Sequence, residues 1–128
     1  MGTKRAAAVI ALALAVLPAA RPQAAPLELA SPPGMLARLI AEGRELVGRG
    51  EAEAAYAALS AQAGLYAGDP EFDYLLGIAA LDTGRYGEAI LAFERVLLVQ
   101  PDHLQARAEL GRAYLAAGEY ENARAAFR

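Results

Sequence analysis

The chain repeats its small residues every 34 positions. Gly43, Gly77 and Gly111 stand at that interval, as do Gly50, Gly84 and Gly118, and Ala55, Ala89 and Ala123. A period of this length is the signature of stacked supersecondary units, and it constrains the fold more than any other feature here. Each unit reads as an amphipathic segment, a turn carrying glycine, and a second amphipathic segment. Everything from Leu36 onward has a helical period, alanine is common there and β-branched residues are sparse, so helix is expected throughout.

The central unit, Pro70 to His103, shows the logic best. Asp69 is a good N-cap, and Pro70 suits the first helical position, where a missing N–H costs nothing. Leu75, Leu76, Ala79 and Ala80 recur at helical spacing up to Gly84, which can supply the left-handed residue that stops a helix. Ala89, Ile90, Phe93, Val96 and Leu97 form one face of a second helix, and Pro101 ends it. Asp102 and Gln105 are predicted to form a capping box for the next unit. The small Gly77, Gly111, Ala89 and Ala123 are expected where helices cross closely, with Tyr86, Phe93, Tyr120 and Phe127 filling the space between hairpins. The predicted fold is all-α, an α-solenoid of antiparallel helix hairpins in about three units: 36–69, which is degenerate, 70–103, and 104–128, which is incomplete. The last unit lacks the stretch corresponding to Val96, Leu97 and Val99, so the sequence is expected to be a fragment of a longer protein. Self-association through an uncapped C-terminal end is expected otherwise.

The opening residues read differently. Lys4 and Arg5 precede an apolar run from Ala6 to Leu17 and then a Pro/Ala-rich stretch, the order of a secretory signal peptide. The run holds 12 residues, whereas crossing a hydrocarbon core takes about 20. Residues 1–25 are therefore expected to be a signal peptide, with Ala19, Ala20, Ala24 and Ala25 all small enough to mark the cleavage point. Residues 26–35, with three prolines and a glycine, are expected to be a linker. The expected location is exported and periplasmic, with no membrane insertion by this segment.

Composition excludes several function classes. Lys4, Arg5 and Arg21 are the only charges in the first 25 residues, so the formal net charge of −3 becomes −6 over the rest. So acidic a body argues against nucleic-acid binding. With no cysteine there is neither a disulfide framework nor a thiolate metal site. His103 is the only histidine, and it is read as a solvated loop residue. Glu88, Glu94 and Glu109 are read as isolated carboxylates on solvated helix faces. No nucleophile elbow, phosphate-cradling loop or zinc spacing occurs, so no enzyme, catalytic residue, cofactor or metal is expected.

These residues resemble the tetratricopeptide repeat, whose helix-turn-helix unit carries L-G, Y, G-x-Y, A, F and P in that order. The central unit matches at Leu76, Gly77, Gly84, Tyr86, Ala89, Phe93 and Pro101. The next unit matches at Leu110, Gly111, Tyr114, Gly118, Tyr120, Ala123 and Phe127. Asp73 and Arg107 occupy the slot that often holds tryptophan, and the degenerate unit keeps Gly43, Gly50, Ala55 and Leu59. The resemblance implies a concave groove, lined by the first helices, that holds an extended peptide or partner protein. Carried over by position, the groove residues are Ala37, Ile40, Arg44 and Val47 in the first unit, Glu71, Tyr74, Ile78 and Leu81 in the second, and Gln105, Ala108, Arg112 and Leu115 in the third. The alternative for several of these is plain packing between helices. Some family members grip a C-terminal carboxylate with Lys and Asn at the places of Tyr74 and Ile78, so that activity is not implied here. An aromatic and aliphatic groove flanked by Arg44 and Arg112 suits an extended partner with apolar and some acidic side chains.

A narrower resemblance lies in the stretch from Gly68 to Leu97 of an exported, alanine-rich array. It is similar to the periplasmic N-terminal repeat region of the surface lipoprotein assembly modifier family, which implies a role in an outer-membrane export or assembly system. The alternative expectation is a structural or oligomerising adaptor in envelope or cytochrome assembly.

Overall fold

A computed structural model of the protein describes residues 33–128; the predicted signal peptide and most of the linker lie outside the described residues. Seven helices follow in order: α1 (Met35–Gly48), α2 (Ala52–Ser60), α3 (Ala63–Tyr66), α4 (Pro70–Asp82), α5 (Tyr86–Val99), α6 (Leu104–Ala116) and α7 (Tyr120–Ala126). The pairs α1/α2, α4/α5 and α6/α7 are hairpins, and the second helix of each of the first two packs on the first helix of the next. This is the expected all-α solenoid.

The three first helices end alike. Gly84 follows α4 with φ 78°, its N–H donating to the Leu81 carbonyl while the Arg85 N–H donates to that of Ala80. Gly50 and Gly118 repeat the same pair of bonds after α1 and α6. A left-handed residue closing orphan carbonyls in this way strongly favours glycine, which accounts for one of the three registers.

Another register is set by side chains across the hairpin. A Cβ on Gly77 would lie 2.7 Å from the Phe93 ring, and the ring of Phe127 covers Gly111 in the same manner. In the first unit Leu59 takes the ring's place over Gly43. Phe93 is fully buried. Tyr86 and Tyr120 are exposed, and Phe127 is half exposed, so these three do not fill the space between hairpins as expected.

Two clusters make up the core. Leu39, Ile40, Leu59, Phe72, Leu75 and Leu76 join the first unit to α4. Ala80, Leu81, Ala89, Ile90, Phe93, Val96, Ala106, Leu110 and Ala113 join α4 and α5 to α6. Each cluster draws on two units, so no hairpin buries its apolar face alone. The degenerate unit shows what happens when the code lapses. Gln62, Ala63 and Gly64 stand where the central unit has Val96, Leu97 and Leu98, and the second helix there breaks into α2 and the single turn α3.

Polar contacts pin the units together. Tyr56 on α2 donates to Glu88 on α5 at 2.6 Å, with the Arg85 guanidinium 3.9 Å above its ring. Tyr114 on α6 donates to Glu94 on α5 at 2.7 Å. Glu88 and Glu94 are thus partnered across elements rather than isolated. Asp73, in the slot expected for tryptophan, is wholly buried, and its Oδ2 accepts from the Gly68 N–H at 2.7 Å.

Candidate functional site

The first helices α1, α4 and α6 share one face, and two clefts lie on it. The larger, about 570 Å³, has Leu36, Ala37 and Ile40 of α1 on one side and Asp69 and Glu71 on the other. The second, about 470 Å³, is lined by Pro70, Glu71, Tyr74 and Leu75, and by Gln100, His103 and Gln105 from the next unit. Arg44 and Glu71 belong to both clefts and form an ion pair with each other, so the pair stands on the boundary between them.

Tyr74 organises the second cleft. Its ring meets that of Phe93 edge-on at 6.0 Å and stacks on the His103 imidazole at 5.2 Å. Burial raises its hydroxyl above the ordinary phenol range, the Glu109 carboxylate raises it further, and Arg112 acts in the opposite sense. The Glu109–Arg112 pair therefore lies within electrostatic reach of this ring.

His103 is not the solvated loop residue expected. Its Nδ1 accepts from the Ala106 N–H at 3.1 Å, which makes it the N-cap of α6 in place of the predicted Asp102 capping box. Asp69, 34 residues earlier, caps α4 through the Phe72 N–H at 2.9 Å. The cap belongs to the repeat, and the period itself points to His103.

The structure divides the expected groove residues. Ala37, Ile40, Arg44, Glu71, Tyr74 and Gln105 come together around the two clefts, with Ile40 nearly buried at a cleft wall. Val47 and Ile78 are partly buried against the core clusters. Leu81 is a buried member of the core cluster that α4 shares with α5 and α6, so the packing alternative holds for it. Ala108, Arg112 and Leu115 are exposed on α6 and line neither cleft. Arg44 stands between the two clefts and Arg112 lines neither, and each is paired with a carboxylate of the protein itself. Sequence reasoning missed Gln100 and His103, which enter from the inter-unit turn, not from a first helix.

Among the described residues no group of three or more His, Asp or Glu side chains converges as a metal site would require. No described helix is long and apolar enough to cross a membrane. Comparison with known families gives a match to the tetratricopeptide repeat model over residues 40–97 and again over 74–128. No curated protein matches the chain.

Proposed function

We infer that this chain, which belongs to the tetratricopeptide repeat family, receives an extended segment of a partner protein along the clefts of α1, α4 and α6. A protein–protein interaction module is what such repeats imply, and repeats of this kind are generally scaffolds with no catalytic task. The observation that carries the finer reading is the pair of adjoining clefts joined at Arg44 and Glu71. Two neighbouring recesses on a rigid helical face suit successive side chains of an extended segment, whose backbone runs past the exposed Gln105.

Delivery is part of the proposal. The charged and apolar order of residues 1–17 supports export to the periplasm, in keeping with a role in an outer-membrane export or assembly system. Only the repeat family is matched, and the narrower assembly-modifier resemblance gains nothing from the comparisons. A self-associating adaptor is the second reading, favoured by the exposed Leu98, Val99 and Leu104 around the α5–α6 turn.

Two experiments test these points. Expressed from Met1 in a bacterium, the protein should be recovered from the periplasm with an N-terminus between Ala20 and Pro26; intact Met1 in the cytoplasm would remove the export reading. Random peptides selected on the full chain should lose binding when Ala37→Trp and Gln105→Trp fill the clefts. Peptides unaffected by those changes, together with concentration-dependent dimers by sedimentation, would favour the adaptor.

A further inference from the structure

Neither Arg44, between the clefts, nor Arg112, which acts electrostatically on Tyr74, is free to attract anions. Arg44, on α1, pairs with Glu71 of α4 across the boundary of the clefts. Arg112, on α6, pairs with Glu109 one turn earlier on its own helix. The side chains of Arg44 and Glu71 are 64% and 45% exposed, so the pair adds little to stability. Its consequence is local charge. A ligand carboxylate arriving at Arg44 meets Glu71 already in place, held at high effective concentration by the fold, and must leave that carboxylate unpaired beside its own. A ligand cation meets the same obstacle from Arg44. One further carboxylate remains on the cleft walls, Asp69, whose Oδ1 accepts from the Phe72 N–H; the rest of the lining is the stacked Tyr74 and His103, the amides of Gln100 and Gln105, and the aliphatic Leu36 and Ile40.

We propose that Glu71 and Glu109 are specificity residues that cancel Arg44 and Arg112, so that the groove, with Asp69 also on its wall, rejects acidic segments and takes an extended protein segment free of Asp and Glu. The segment places an aliphatic side chain in the cleft of Leu36 and Ile40. A neighbouring aromatic or amide side chain lies against Tyr74, within reach of Gln100 and Gln105. This rests on the groove reading above and replaces the acidic partner that the bare sequence suggests. Discrimination here is built by an unfavourable term against the wrong ligand as much as by contacts to the right one.

The test uses random 12-residue peptides displayed on phage and selected in parallel on the full chain and on a Glu71→Gln, Glu109→Gln double variant. Both substitutions preserve shape, and circular dichroism checks that the helices persist. The wild-type chain should enrich peptides poor in Asp and Glu and rich in paired aliphatic and aromatic residues. Their capped synthetic forms should change affinity by less than about twofold between low and high salt, because no net charge is engaged. The double variant should enrich Asp- or Glu-bearing peptides. These should bind it roughly three- to tenfold more tightly than they bind the wild type, an advantage that salt removes. Enrichment of acidic peptides by the wild type, or selections of equal charge on both proteins, overturns the charge filter while leaving the groove intact. Peptides that bind equally to an Ala37→Trp, Gln105→Trp chain lie elsewhere, and overturn the groove reading and this inference together.

Discussion

The wholly buried Asp73 carboxylate receives both Nε and an Nη of Arg95, at 3.0 and 2.7 Å, tying α4 to α5 within the central hairpin. Removing one partner of such a pair is far worse than replacing both, because the survivor is left charged without compensation. Arg95→Ala should therefore destabilise by about 3–5 kcal/mol, read from urea or thermal unfolding followed by circular dichroism. Asp73→Leu with Arg95→Met should recover most of that loss, since the first unit places Leu39 at the position equivalent to Asp73. A double variant as unstable as Arg95→Ala would mean that the Gly68 contact, not the ion pair, holds Asp73 in place.

Gly77 and Gly111 occupy the same place in successive units but should respond differently to alanine. At Gly77 the new methyl meets the buried Phe93 ring at 2.7–2.9 Å. Overpacking of roughly 1–3 kcal/mol then outweighs the gain of about 1 kcal/mol in helix propensity. At Gly111 the ring of Phe127 is 54% exposed and can move aside. Gly77→Ala should lower the melting temperature, whereas Gly111→Ala should leave it unchanged or raise it.

The His103 cap separates stability from recognition. His103→Ala should cost about 0.5–2 kcal/mol through loss of the bond to the Ala106 N–H. His103→Asp, which copies Asp69, should restore the cap and the melting temperature. It should still weaken peptide binding, because the imidazole stacked on Tyr74 is gone.

How far the sequence could be read depends on whether a residue answers to its own unit or to another element. Gly84 and its counterparts were legible because a helix stop demands a particular backbone conformation, whatever surrounds it. Phe93 and Gly77 were legible because both recur. Asp73 was not: a carboxylate early in a helix reads as surface, and its burial depends on Arg95 from the following helix. The one available signal was the apolar Leu39 at the equivalent position. The pairing of Arg44 with Glu71 was hidden for the same reason, since it joins two units at a spacing that does not repeat. His103 could have been found by stepping 34 residues from Asp69.

Alkaline pH should act through Tyr114. Burial, reinforced by its hydrogen bond to Glu94, pushes its hydroxyl up to about 12 from an ordinary 10. The folded value lies above the unfolded one, so the neutral phenol contributes its full stability below pH 10. That contribution is lost as pH rises through 12. Tyr114→Phe should be less stable than the wild type at neutral pH, and the difference should shrink between pH 10 and 12 in paired thermal melts. A constant difference across that window would mean that the hydroxyl is not held by Glu94.

The central claim is that a partner segment lies on the face of α1, α4 and α6, and amide chemical shifts test it most directly. The isotopically labelled full chain would be titrated with a capped peptide from the selection described above. The largest shifts should fall at Ala37, Arg44, Glu71, Tyr74, His103 and Gln105, the residues gathered around the two clefts. Shifts concentrated instead at Leu91, Leu98 and Val99, exposed on α5, would contradict the account and place binding on the opposite helices.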